Sequence, residues 1–131
     1  MLFDFKLSTP SQGLIDITGE VQEAITESGV NEGFCIVFCP HTTAAVTINE
    51  NADPDVKSDF VMGLDKAFPD LEGFDHAEGN SDAHIKSSTV GASETIIISG
   101  GRLLLGTWQG VYFCEFDGPR NRKFYVKVMG G

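Results

Sequence analysis

A chain of 131 residues, 41% hydrophobic with ten phenylalanines, carries enough apolar material for one domain with its own core. Nine basic against nineteen acidic residues give a formal charge of -10, which argues against nonspecific binding to nucleic acid or an anionic membrane, because both need clustered Lys and Arg. No apolar run approaches the roughly 20 residues that cross a bilayer, and Met1-Leu2-Phe3-Asp4 has neither part of a signal peptide, so a cytoplasmic protein is expected.

Residues 2 to 8 and 14 to 18 alternate apolar and polar side chains around Pro10-Ser11-Gln12-Gly13, which predicts two strands joined by a turn. An amphipathic helix follows from about Glu20 to Ser28, with Thr18 as N-cap, Val21, Ala24 and Ile25 as apolar stripe and Gly29 as stop. Residues 33 to 39 and 44 to 48 read as strands interrupted at Pro40-His41-Thr42-Thr43, which leaves His41 near a strand end. Asp53-Pro54 starts a second helix with one buried face through Val56, Phe60, Leu64 and Ala67 and an end at Pro69. Asp70 to Gly79 has no apolar period and reads as a loop carrying His76. Asn80 or Ser81 then caps a helix to Val90, with His84 in its first or second turn and Gly91 as its stop. Thr95 to Ser99, Arg102 to Leu105, Trp108 to Phe116 and Lys123 to Met129 are strands, and their short connections favour antiparallel neighbours. The class is α+β.

Three cysteines without a disulfide framework indicate free thiols. Cys35 and Cys39 lie on one predicted strand, where a rise of about 3.3 Å per residue sets their α-carbons roughly 13 Å apart, too far for one disulfide or one metal. They read as small buried hydrophobes, as does Cys114.

The histidines carry the chemistry. His41 stands in Pro40-His41-Thr42-Thr43-Ala44, and His76 and His84 bracket Ala77-Glu78-Gly79-Asn80-Ser81-Asp82-Ala83. Small polar neighbours leave room around an imidazole for a ligand, a metal or a water. Two readings stand side by side: three unrelated surface or hydrogen-bonded histidines, or one site in which His41, His76 and His84 hold zinc or a similar divalent ion and leave an open position. An anionic small molecule on a chain this acidic needs local help from a metal, a helix N-terminus or an arginine such as Arg102, Arg120 or Arg122.

Read in order, Pro40-His41-Thr42-Thr43-Ala44-Ala45-Val46-Thr47-Ile48-Asn49-Glu50-Asn51, Asp53-Pro54-Asp55-Val56, His76, Asn80-Ser81-Asp82-Ala83-His84-Ile85-Lys86, Gly106-Thr107-Trp108-Gln109-Gly110 and Glu115-Phe116-Asp117-Gly118-Pro119-Arg120 closely resemble the YjbQ-like family, also called secondary thiamine-phosphate synthase proteins. The match spans nearly all of residues 1–131 as a single domain. The resemblance implies a largely antiparallel, bifurcated sheet curled toward a barrel with two to three helices, assembled as a homotrimer. It also implies a small-molecule enzyme joining a hydroxymethylpyrimidine diphosphate to a thiazole phosphate.

Under that implication His41, Asn80 and Glu50 are the candidate catalytic residues, and Trp108, Gln109 and Arg120 the candidate substrate-binding residues. His41, His76 and His84 would hold the ion. Magnesium would suit a diphosphate, whereas three imidazoles favour zinc. Two other functions compete: a metal-dependent hydrolase with Glu50 or Glu78 as base, and a noncatalytic trimeric protein that holds a small ligand or metal.

Overall fold

In the computed structural model, which describes residues 1–131, the N-terminal alternation becomes strands β1 (Leu2–Ser8) and β2 (Gly13–Asp16). Helix α1 (Thr18–Ser28) follows, then β3 (Gly33–Phe38) and β4 (Ala44–Glu50). Helices α2 (Pro54–Ala67) and α3 (Ser81–Val90) are joined by the loop that carries His76. The chain ends with β5 (Ser93–Ser99), β6 (Arg102–Leu103), β7 (Gln109–Glu115) and β8 (Asn121–Gly130).

The strands form two antiparallel sheets, a curled five-stranded one in the order β1-β8-β3-β5-β6 and a three-stranded one in the order β2-β7-β4. The α+β expectation holds. Alternation works as the pleat requires: Cys35 and Val37 of β3 and Phe124, Val126 and Val128 of β8 turn inward, where they meet Val46, Phe113 and the α1 stripe of Val21, Ala24 and Ile25. Every residue of β7 from Gly110 to Glu115 is buried. The smaller sheet is covered on both faces, since Ala83 of α3 and the half-buried Phe60 and Leu64 of α2 pack on Ala45, Cys114 and Phe116. No helix is long and apolar enough to cross a membrane.

Several local expectations are corrected. Helix α1 begins at Thr18 itself, behind Ile17, because the Thr18 hydroxyl is engaged elsewhere: it donates to Asp16 and accepts from Val111 N–H. Gly29 stops the helix as expected, at φ 73°. Asp53 caps α2 through Asp55 N–H and Pro54 opens it, but no residue of α2 is fully buried and Ala67 is exposed. The stripe Val56, Phe60, Leu64 is only half covered. Asn80 occupies the cap position of α3 without capping through its side chain. Cys35, Cys39 and Cys114 are free and buried, as read from the sequence, and burial pushes the Cys35 and Cys39 thiols up to about 11.

Candidate functional site

The site forms where the larger sheet stops. Phe38 pairs with Tyr125, so continuing the register would set residue 40 against Lys123, and that residue is a proline without an N–H. The chain leaves the sheet there, and the His41 ring takes the vacated place. Lys123 N–H donates to His41 Nε2 at 3.0 Å, and the same nitrogen lies 3.1 Å from Lys123 O. Burial, and then the nearby Arg122 charge, hold the His41 pKa below the usual imidazole value. Nε2 thus faces a donor and an acceptor of the same residue, and the tautomer of the neutral ring decides which contact is the hydrogen bond.

Arg122 and Glu115 anchor the turn beside it. Glu115 is fully buried at the end of β7, and Arg122, 7% exposed, sends Nε to Oε1 at 2.7 Å and Nη2 to Oε2 at 2.6 Å. Thr9 Oγ1 donates to Oε1 and Asp117 N–H to Oε2, so the carboxylate has four donors. Burial pushes the Glu115 carboxyl up, and these donors outweigh it and hold it below the usual range. Arg122 Nη2 also donates to Thr43 Oγ1 at 2.8 Å, which fixes the Pro40–Thr43 turn to both sheets at once.

Asp117 extends the network. It accepts from Asn80 Nδ2 at 2.6 Å and from Arg120 Nη2 at 2.8 Å, while Arg120 Nε donates to its main-chain oxygen. Burial acts to raise Asp117, but Asn80 and Arg120 win and lower it. Asn80 Nδ2 is also 3.5 Å from Glu78 Oε2, so the amide faces two carboxylates with its nitrogen and turns its oxygen away. That oxygen is buried and has no hydrogen-bond partner. Asn80 is 8% exposed.

His76, from the loop, and His84, from the first turn of α3, meet edge to face with ring centroids 5.3 Å apart. They close a cleft of about 370 Å³ whose walls are the Pro40–Thr43 turn, His76, Glu78, Asn80, His84 and the two arginines Arg120 and Arg122. No hydrophobic side chain lines it. These groups can supply charge, hydrogen bonds and proton transfer through imidazole.

Seven of the residues read from the sequence therefore converge: His41, His76, Glu78, Asn80, His84, Arg120 and Arg122. Glu50, Trp108 and Gln109 do not line the cleft. Glu50 ends β4 outside the cleft and accepts the Tyr112 hydroxyl at its main-chain oxygen. Trp108 is 62% exposed, and Gln109 Oε1 accepts Gly106 N–H beside it. Nor are the three imidazoles gathered as a metal centre. No three His, Cys, Asp or Glu side chains are placed to hold an ion, and His41 Nε2 is turned to the Lys123 main chain. A three-imidazole centre needs three bare nitrogens aimed at one point, and the residues as placed do not supply them.

The Glu115–Arg122 pair was missed as a pair. Its signal was present: a lone carboxylate at the end of an apolar strand is buried only with a partner.

Fold and site together define a class, small two-sheet α+β proteins that build a wholly polar cleft where a sheet ends. Residues 3–131 match the family described as UPF0047 protein YjbQ-like, and the chain belongs to that family. UPF0047 protein YugU of Bacillus subtilis is 56% identical over 94% of each chain. UPF0047 protein MJ1081 of Methanocaldococcus jannaschii is 56% identical over 99% of this chain and 95% of its own. The crystal structure of a YjbQ/UPF0047 family protein from Clostridium acetobutylicum superposes with a TM-score of 0.95 at 56% identity, covering 97% of this chain and 99% of that one. A Sulfolobus solfataricus structure, described as a YbjQ-like protein of unknown function, gives 0.95 at 29% identity over 100% and 97%.

These findings correct the implied activity. The relatives bear a family designation and not the name of a thiamine-phosphate synthase, and the structural neighbour is described as of unknown function. The transferase and zinc expectations fall with it, because the ion on which that reading relied has no assembled site.

Proposed function

We propose that the protein binds a small hydrophilic anion that also carries hydrogen-bond donors, of the hydroxy-acid or sugar-phosphate type, in the cleft between the Pro40–Thr43 turn and the start of α3. The observation that carries this reading is Asn80 Oδ1, a buried acceptor with no donor, on an amide whose orientation two carboxylates fix. A buried polar atom left unpaired costs about 1–3 kcal/mol. Asn80 borders the cleft, and a ligand N–H or O–H that reaches this oxygen through a small shift of the wall removes that cost.

Charge points the same way. Arg120 keeps its side chain 46% exposed while bonded to Asp117, so its remaining N–H groups are free to meet an anion. The His41 ring and the Thr42 hydroxyl add hydrogen-bonding groups on the same walls. A lining without hydrophobic side chains gives a greasy or stacked ring nothing to pack on, which favours a compact polar ligand. The three free thiols accord with a reducing, cytoplasmic setting.

Association of copies of this chain accompanies the reading. On the outer face of the larger sheet Phe34 stands beside Met129 on one side and Ile97 on the other, with Phe38 beside Tyr125. Phe34, Phe38, Ile97 and Met129 are all exposed. The homotrimer that the family resemblance implies would cover this face.

Thermal denaturation against a panel of hydroxy acids and sugar phosphates tests the ligand class. A ligand at 100 times its Kd stabilises by about 2.7 kcal/mol. Asn80→Ala and Arg120→Ala should each weaken that ligand at least tenfold, and Trp108→Ala should not. Affinity indifferent to both cleft substitutions would sink the reading.

A further inference from the structure

A second depression lies on the far side of His41 and Arg122, between β1 and β8, with a volume of about 620 Å³. Lys6, Leu7, Ser8, Asn121 and Lys123 line it, together with His41 and Arg122, and no carboxylate does. On a chain of net charge -10 that is a local reversal of sign.

The register makes the reversal sharper. Lys6 and Lys123 are direct cross-strand partners on adjacent antiparallel strands, so their side chains rise side by side from one face. Like charges placed directly opposite each other destabilise a sheet pair. Lys123 has partial relief from Asp4 at 3.5 Å, whereas Lys6 has no carboxylate within ion-pair distance. Asn121 Oδ1 already accepts from Ser8, which leaves its NH₂ facing out as a further donor. The Arg122 fork is committed to Glu115 and Thr43.

We infer that this depression is a phosphoryl-group subsite, in which Lys6 and Lys123 hold one oxyanion between them and the Asn121 amide donates to it. Ammonium groups act as point charges and suit a compact, highly charged phosphate, while a planar carboxylate is better served by an open arginine fork, which is absent from this wall. The bound anion removes the repulsion between the two lysines. Because His41 and Arg122 belong to both walls, the subsite adjoins the Asn80 cleft, but its charge argument does not depend on what that cleft binds.

The test is titration of the full chain with inorganic phosphate at low ionic strength, followed by backbone amide shifts. Saturable movement of residues 6–8 and 121–123 is expected. Lys6→Gln with Lys123→Gln should weaken binding at least tenfold. Lys57→Gln with Lys66→Gln, which removes the same charge from α2, should leave it within twofold. Equal losses from the two double variants would mean that only net charge is sensed, and shifts that grow linearly without saturating would mean that no site exists; either overturns the subsite. A protein that passes this test yet ignores Asn80→Ala with every panel compound would retain the subsite and lose the cleft reading.

Discussion

Glu115 and Arg122 are each removed almost wholly from water, and a charge there survives only with an opposite partner and its remaining hydrogen-bonding capacity filled. Both conditions are met by Thr9, Thr43 and Asp117 N–H. Arg122→Met should therefore strand the carboxylate and lower unfolding free energy in denaturant by about 3–5 kcal/mol; a loss under about 1 kcal/mol would show that the pair is not the anchor described. The acid limb follows from the same groups. Glu115 and Asp117 titrate below the ordinary carboxylate range in the folded chain, so their stabilisation is complete above roughly pH 4 and is lost as pH falls through their lower folded values. His41, also lowered, adds a loss that starts as pH falls below about 6.5. Asp117→Asn should flatten the stability profile at the acid end and His41→Gln between there and pH 6.5; unchanged profiles would contradict both assignments. At this scale the sequence was informative about which histidines have room around them, since their neighbours are small and polar. It was silent on His41 Nε2, because that nitrogen is engaged by a residue 82 positions away, through a sheet register no local pattern encodes.

Helix α2 has strong local signals and weak tertiary support. Asp53 and Pro54 start it and Phe68-Pro69 end it, yet none of its residues is fully buried. Beside the packing of Phe60 and Leu64, polar contacts tie it down: Asp65 accepts from Lys86 Nζ of α3 at 2.5 Å and from Gln12 at 2.9 Å. Lys86 is 2% exposed, so α3 contributes a buried cation where its sequence offered no apolar stripe. Segments with little burial open at low free-energy cost. Hydrogen exchange should find α2 amides faster than those of α1, whose Val21, Ala24 and Ile25 are fully buried, and Asp65→Ala should speed α2 further while leaving β3 and β8 unaffected. Equal protection of α1 and α2 would refute this ranking. The strands and α1 were legible because their periods of two and 3.6 report burial directly. The period of α2 was equally clear, but period reveals only that a face is apolar and not how much of it the fold covers.

For the molecule as a whole, the apolar outer face around Phe34, Phe38, Ile97 and Met129 is the largest unmet demand for burial on the larger sheet. Phe34→Lys with Ile97→Lys should convert an assembled protein to a 14.1 kDa monomer in light scattering; a wild type that is itself monomeric at micromolar concentration would contradict self-association through this face. The antiparallel α+β plan was readable from strand alternation and short connections. The division into two sheets was not, because β2-β7-β4 depends on pairing of distant segments. The cleft was the least legible feature, since its groups are brought together from β3–β4, the His76 loop, α3 and the β7–β8 turn. The central claim, that this cleft is a ligand site organised on Asn80, is tested most directly by the Asn80 side-chain amide resonances in nitrogen–proton correlation spectra, during titration with the hydroxy acid or sugar phosphate that most raises the melting temperature. The account predicts saturable shifts of that amide together with His84 and Arg120; a still Asn80 amide with saturable shifts confined to other surfaces, such as residues 106–110, would contradict it.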